Sequence, residues 1–212
     1  MGGIHKILHP LGKSTVLKTV IGRFQGAESI AEAVIVCRAQ DREDFTQAVG
    51  ELSGLPFPVC IVSGGATRQE SVKNGVSAIS AECRYVAVHD GARPLVSSAD
   101  IERVIADARR TGAATLGVPV KDTIKTVTDG IITDTPDRAS LWNTQTPQVF
   151  RLSLYRDAMT LAAQQGKDYT DDCQLVEALG QPVTMTQGSY QNIKLTTPED
   201  FLVAEAFLRA EQ

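Results

Sequence analysis

The chain has 212 residues, a hydrophobic content of 42% and a formal net charge of -4. No linker or low-complexity run divides it, so we expect one domain over residues 1–212. The acidic balance argues against nucleic acid as a partner, because proteins that bind phosphate backbones usually carry a basic excess. No apolar run approaches the ~20 residues of a membrane span, so we expect no membrane partner. The four cysteines lack metal-site spacing, which favours free thiols in a reducing cytoplasm.

Apolar, β-rich runs alternate with helical patterns along the first 120 residues. The predicted strands cover residues 33–37, 58–62, 85–88 and 114–118. The predicted helices cover residues 41–52, 68–79 and 99–110, the last capped by Ser98. Continuous apolar strands that alternate with helices predict an α/β fold: a Rossmann-like, mostly parallel sheet with helices on both faces.

A different pattern follows between Asp122 and Thr135, where two short β-rich runs flank Asp129-Gly130. This dipeptide is a strong signal for a two-residue hairpin turn. A lone hairpin is marginally stable in water, so we expect it to pack against something else. The hairpin could pack against its own domain or against a second subunit.

Helical patterns return near the C-terminus. One helix is predicted over residues 152–165, ended by Gly166, and another over residues 171–179, ended by Gly180. The last helix has the clearest start in the chain, with Thr197 as cap, Pro198 at its first position and Asp200 completing an approximate capping box.

The most informative segment is "RYVAVHDGARP" at residues 84–94, where an apolar run ends in Asp90. Ligands of open α/β sheets collect at the carboxyl ends of the strands, so Asp90 is placed to hold a divalent cation beside a polyphosphate. Gly91 leaves room for a ligand to approach the backbone. The alternative is a carboxylate that only caps the following turn.

Six blocks in the order of one known family span residues 63–200. They read "SGGATRQESVKNGV", "VHDGARP", "PVKDTIK", "DRASLWNTQTPQVF", "YTDD" and "NIKLTTPED". In this series the chain resembles the 2-C-methyl-D-erythritol 4-phosphate cytidylyltransferase family. The resemblance implies a fold of the nucleotide-diphospho-sugar transferase type. It also implies a homodimer gripped by a β-arm at about residues 121–142.

The implied reaction is attack of a polyol phosphate oxygen on the α-phosphorus of CTP, with release of pyrophosphate. Mg²⁺ or another divalent cation, held by Asp90, assists. Because the attacking phosphate is already an anion, catalysis depends on cations that bring two anions together, and no general base is required.

The resemblance also assigns roles to individual residues. Lys6 and Lys194 are the implied catalytic lysines, although the family's usual "PKQ" reads "HKI" around Lys6; the alternative for each is an exposed lysine. Lys194 is predicted to lie on a strand. CTP contacts are implied at Gly65, Ser71, Asp90 and Gly91. Polyol phosphate contacts are implied at Thr123, Arg138 and Thr170, of which Thr170 is also a candidate helix cap.

For other residues near these motifs, structural roles are considered. Arg68 either pairs with phosphate or holds its helix start to a carboxylate. His89 is interpreted as structural, facing away from Asp90. Residues 145–148, together with Trp142, are interpreted as a turn that packs around the base of the arm.

The family opens with a strand and a glycine-rich loop that wraps the triphosphate, and the printed sequence starts at about the end of that loop. We therefore expect this N-terminal strand and loop to be missing. Two alternatives stay open: a ribitol 5-phosphate cytidylyltransferase, and a non-catalytic nucleotide-binding or dimerisation module. The expected location is the cytoplasm, or the plastid stroma in a eukaryote.

Overall fold

The computed structural model describes residues 6–211 as an α/β fold. In chain order the strands are β1 (Pro10–Leu11), β2 (Ser14–Thr15), β3 (Ala33–Cys37), β4 (Val59–Ser63), β5 (Tyr85–Val88), β6 (Ala113–Pro119), β7 (Thr126–Thr128), β8 (Ile131–Asp134), β9 (Trp142–Arg151) and β10 (Thr184–Gln187). The helices are α1 (Val16–Gln25), α2 (Arg42–Gly50), α3 (Arg68–Ser77), α4 (Ser98–Thr111), α5 (Leu152–Gln165), α6 (Asp172–Glu177) and α7 (Pro198–Ala210).

The centre of the fold is a four-stranded sheet in the order β10-β6-β9-β5. Strands β10, β6 and β5 share one direction, and β9 runs against both of its neighbours. Helices cover both faces, as alternate residues of β9 show. Val149 packs in the cluster of α4, whereas Phe150 stacks on Tyr155 of α5 with ring centroids 4.9 Å apart.

Most predicted elements are confirmed, with shifts of a few residues at their ends. Strands β3 and β5 have the predicted bounds, as does α5, which ends at Gly166 in the left-handed conformation (φ 60°). Helix α7 begins at Pro198 after Thr197, and Asp200 accepts a hydrogen bond from the Thr197 amide at 2.7 Å. The predicted cap of α4 was wrong by one residue: the Ser97 hydroxyl accepts from the Asp100 amide at 3.0 Å.

The prediction of a turn at residues 145–148 was wrong. These residues lie in the middle of β9, a strand of ten residues. Gln145, Thr146 and Gln148 are each at most 5% exposed. Polar residues at buried positions hide a strand from hydrophobic-pattern analysis, because the pattern assumes that the interior is apolar.

The hairpin predicted around Asp129-Gly130 is confirmed. Asp129 (φ 51°) and Gly130 (φ 79°) both adopt the left-handed backbone that a two-residue hairpin turn requires. Every residue of β7 and β8 is exposed, so the hairpin does not pack back onto the rest of residues 6–211. Its base is held by Tyr190, whose hydroxyl donates to the Pro119 carbonyl at 2.7 Å and whose ring lies under the Lys121 ammonium.

Strands β3 and β4 form a separate parallel pair. Within residues 6–211, β3 is paired only with β4, and β5 only with β9. A cavity of about 1740 Å³ lies between β3 and β5 and is lined by both strands. The residues that follow the carboxyl ends of β4 and β5, including Gly65 and Asp90, line the same cavity.

Within residues 6–211, none of the helices is both long and apolar enough to cross a membrane.

Candidate active site

Asp90 lies in a turn just beyond the carboxyl end of β5. The Arg93 amide closes this turn by donating to the Asp90 carbonyl at 2.9 Å. The Asp90 carboxylate is 2.7 Å from the Lys194 ammonium and 3.8 Å from the Arg93 guanidinium. Burial opposes ionisation of Asp90, but the hydrogen bond and charge of Lys194, with Arg68 and Arg93, outweigh it and lower its pKa. The site therefore contains a fixed carboxylate surrounded by cations.

Lys194 reaches Asp90 from an irregular segment before α7, so its predicted place on a strand was wrong. One backbone bond joins the segment to the Asp90 turn, from the Leu195 amide to the Ala92 carbonyl at 2.8 Å. Next to it, the Arg93 guanidinium donates to the Asn192 carbonyl at 2.8 Å. The segment is thus joined to the turn by one backbone bond and one side-chain bond rather than by a strand ladder.

Lys6 is brought to the same turn. Its ammonium donates at 3.4 Å to the carbonyl of Leu195, the residue after Lys194, and the Leu195 amide in turn bonds to Ala92 of the turn. The neighbouring Ile7 faces Gly91, where an added Cβ would lie 3.7 Å from the Ile7 side chain. Lys6 and Gly91 both line the cavity between β3 and β5.

Gly65 and Ser71 meet at the loop between β4 and α3. The Gly65 amide donates to the Ser71 hydroxyl at 3.1 Å. Glycine is required at position 65, because an added Cβ would lie 2.4 Å from the Cβ of Glu70. The Glu70 carboxylate in turn accepts from the Ala66 amide at 2.7 Å. A small-residue loop that leads into a helix N-terminus presents amides to a polar or anionic ligand.

Arg68 extends from the first turn of α3 to Asp172 of α6. The guanidinium lies 2.6 Å from the Asp172 carboxylate, which is almost fully buried and also accepts a hydrogen bond from the Tyr155 hydroxyl. Burial opposes the charge of Arg68, but pairing with Asp172 outweighs it and raises the pKa of Arg68, and Asp90 adds to this effect. Arg68 therefore holds a carboxylate, and 39% of its side chain stays exposed and accessible to a ligand.

Sequence reasoning missed how the buried polar residues of β9 hold these parts together. The Gln148 side-chain carbonyl accepts from the amides of Asp172 and Cys173, at 3.0 and 3.1 Å. The Gln145 amide group donates to the Ser189 carbonyl at 2.8 Å, which ties down the segment that leads to Lys194. The only available signal was three polar side chains within a β-rich run.

Thr146 and His89 lie behind the Asp90 turn. The Thr146 hydroxyl accepts from the Asp90 amide at 3.1 Å and lies 3.0 Å from Nδ1 of His89. Nε2 of His89 lies 3.1 Å from the Arg93 carbonyl. Burial lowers the pKa of His89 to about 4, so the ring is neutral at physiological pH.

Three predicted site residues lie elsewhere. Thr123 and Arg138 are exposed at the base of the hairpin, where Arg138 donates to the Lys121 carbonyl at 2.7 Å. Thr170 is also exposed and bonds to the side chain of Gln174. It is not the helix cap, because Asp171 caps α6. No hydrogen bond or ion pair within residues 6–211 joins these three residues to Asp90.

The donor set suits one type of metal site. In the part of the chain that the structure describes, no three His, Cys, Asp or Glu side chains cluster as a metal cage. Mg²⁺ often needs no such cage, since one carboxylate, water and the phosphates of a substrate suffice. Asp90 fits that role, and the nearby lysines and arginines fit the phosphates.

Comparisons with known proteins identify the family of the chain. The model of the family "IspD: 2-C-methyl-D-erythritol 4-phosphate cytidylyltransferase" matches residues 1–210. The family member from Syntrophotalea carbinolica is 46% identical and aligns over 97% of this chain and 88% of its own length.

Solved structures agree as well. The 4-diphosphocytidyl-2C-methyl-D-erythritol synthase of Anaerococcus prevotii superposes with a TM-score of 0.86 at 30% identity, over 94% of this chain and 88% of that one. The 2-C-methyl-D-erythritol 4-phosphate cytidylyltransferase of Thermus thermophilus gives 0.80 at 33% identity, over 96% and 93%. On the family model, the relatives and the shared fold, the chain belongs to the 2-C-methyl-D-erythritol 4-phosphate cytidylyltransferase family.

Proposed function

We propose that the protein joins CTP and 2-C-methyl-D-erythritol 4-phosphate to give 4-diphosphocytidyl-2-C-methyl-D-erythritol and pyrophosphate. The family match over residues 1–210 supports this reaction, and so do the relatives that carry its name. The observation that carries the proposal is the Asp90 carboxylate, 2.7 Å from Lys194 and in the cavity that Gly65 and Ser71 also line.

The reaction requires an oxygen of the acceptor phosphate to bond to the α-phosphorus of CTP while the bond to the bridging oxygen breaks. Pyrophosphate leaves with the electron pair of that bond. Both reactants are anions, so the protein must offset their repulsion and hold them in line. Lys6 and Lys194 are our candidates for this task, because both lie at the Asp90 turn.

Mg²⁺ fits this site, with Asp90 as the protein ligand and the CTP phosphates completing its coordination. A bound divalent cation supplies charge neutralisation at the phosphates. The Lys194 ammonium pairs with the Asp90 carboxylate. We propose that Lys194 exchanges this partner for a phosphate when CTP binds.

Cytosine contacts are proposed at Gly65, Ser71 and Gly91. The Gly65 amide donates to the Ser71 hydroxyl, and both residues line the cavity. A pyrimidine edge presents donors and acceptors that replace such a bond without leaving either group unsatisfied.

The polyol phosphate contacts are proposed at Thr123, Arg138 and Thr170. Because Thr123 and Arg138 flank the hairpin, we propose that they serve the site of a second copy. Apolar side chains exposed on the hairpin support such an interface: Val127 is 54%, Ile131 70% and Ile132 58% exposed. The assembly would be a two-fold homodimer.

The comparisons support neither of the two alternatives, the ribitol 5-phosphate cytidylyltransferase and the non-catalytic module. We further propose that residues 1–212 form one nucleotidyltransferase domain. A location in the cytoplasm, or in a plastid stroma, stays a prediction.

Asp90→Asn should lower turnover by about 100-fold, because the amide removes the charge that holds the divalent cation. The measurement is CTP-dependent pyrophosphate release with 2-C-methyl-D-erythritol 4-phosphate. Asp107→Asn is the matched control, since Asp107 also pairs with an arginine, Arg110 at 3.1 Å, but lies on α4. Near-normal turnover of Asp90→Asn would remove Asp90 from the site.

Lys194→Ala should lower turnover by about 100-fold and the free energy of unfolding by less than about 1 kcal/mol. The reason is that the Lys194 side chain is 45% exposed, so its ion pair contributes little to folding. Turnover and urea denaturation measure the two effects. Lys18→Ala controls for loss of an ion-paired lysine, since Lys18 pairs with Glu51 outside the turn. A destabilised variant with unchanged activity per folded molecule would make Lys194 structural.

Mixing inactive Asp90→Asn and Arg138→Ala chains should regenerate activity if each site is shared between two subunits. A mixed dimer has one site with both residues intact, so equal mixing should restore about a quarter of the wild-type activity. Subunit exchange is verified with two differently tagged chains. Exchanged mixtures that stay inactive would show that each site is built from one chain.

A further inference from the structure

His89 and Thr146 form a short chain of hydrogen bonds behind the Asp90 turn, and the proposed reaction does not use either residue directly. Thr146 is 5% exposed and lies in β9. Its hydroxyl contacts the Asp90 amide at 3.1 Å and Nδ1 of His89 at 3.0 Å. The His89 ring packs edge-on against Phe24, with centroids 5.0 Å apart.

The hydrogens of this chain follow from what each group can donate. A carbonyl only accepts, so Nε2 of His89 carries a hydrogen and donates to the Arg93 carbonyl at 3.1 Å. In the neutral ring Nδ1 is then an acceptor, and the Thr146 hydroxyl donates to it. The same hydroxyl oxygen accepts from the Asp90 amide. All three bonds are satisfied at once.

The hydrogen bonds of His89 and Thr146 thus hold both ends of the turn, at the Asp90 amide and at the Arg93 carbonyl. The Asp90 carboxylate, which pairs with Lys194 at 2.7 Å, extends from this turn, so a shift of the turn would displace the carboxylate. Other bonds hold the Lys194 segment, including one from the Asn192 side chain to the Thr146 carbonyl at 3.0 Å. Thr146 therefore bonds to the backbone of Asp90 and, through Asn192, to the segment that carries Lys194.

We propose that Thr146 and His89 are positioning residues that act through the Asp90 backbone to set the direction of its carboxylate. This proposal rests on the proposed function only in the test that measures turnover.

The first test is hydrogen exchange at the Asp90 amide, which requires no activity. Thr146→Val keeps the shape of the side chain and removes the hydroxyl, so exchange at this amide should become at least about ten-fold faster. Thr146→Ser keeps the hydroxyl and should restore slow exchange. Thr186→Val is the matched control, because Thr186 is also 5% exposed and its hydroxyl donates to Asp107 at 2.7 Å, away from the turn.

The second test is a double-mutant cycle on turnover. Thr146→Val should lower kcat by about ten-fold in the wild-type background, since small misplacements at a reacting centre are costly. In the Asp90→Asn background the same substitution should have almost no further effect, because the group it positions is already gone. Thr186→Val should leave kcat unchanged in both backgrounds.

The results separate this proposal from the proposed function. If the wild type releases no pyrophosphate, the function is wrong, and the exchange test still decides the positioning role. Equal effects of Thr146→Val and Thr186→Val on exchange, or additive effects of Thr146→Val and Asp90→Asn on kcat, would overturn the proposal. Should Thr146→Val not fold, His89→Phe replaces it: a ring is kept against Phe24 and both ring nitrogens are lost, with the same expected faster exchange.

Discussion

Burying polar side chains inside a sheet is unfavourable unless each finds a hydrogen-bond partner. The buried polar side chains of strand β9 find their partners in the segments that form the candidate active site. Gln148 bonds to the first amides of α6, Thr146 to the Asp90 turn, and Gln145 to the segment before Lys194. These three regions are far apart in sequence. The hydrogen bonds that satisfy the buried polar side chains of β9 therefore also fix the relative positions of these regions.

The electrostatic character of the site follows from this arrangement. The chain has a net charge of -4, so it cannot attract a polyphosphate through its overall charge. A local group of cations, Arg68, Arg93 and Lys194, gathers instead around one carboxylate, Asp90, and Lys6 lies nearby on the Leu195 carbonyl. The negative charge of Asp90 lowers the repulsion between the members of this group. A phosphate ligand with a divalent cation would replace those internal pairs.

Local signals made much of the fold predictable from the sequence. The Asp129-Gly130 turn, Gly166 after α5 and Pro198 at the start of α7 each act within a few residues. Nonlocal polar contacts were not predictable in this way. The buried strand β9 looked like a turn because its polar partners lie elsewhere in the chain. Likewise Arg68 and Asp172 are separated by 104 positions, and only the folded chain shows that they pair.

Pyrophosphate release by the wild-type protein, supplied with CTP, Mg²⁺ and one polyol phosphate at a time, tests the proposed reaction most directly. We expect rapid release with 2-C-methyl-D-erythritol 4-phosphate, slower release with ribitol 5-phosphate, and none when CTP or the divalent cation is omitted. Preference for ribitol 5-phosphate would contradict the proposed acceptor. CTP binding without pyrophosphate release from any acceptor would contradict catalysis itself.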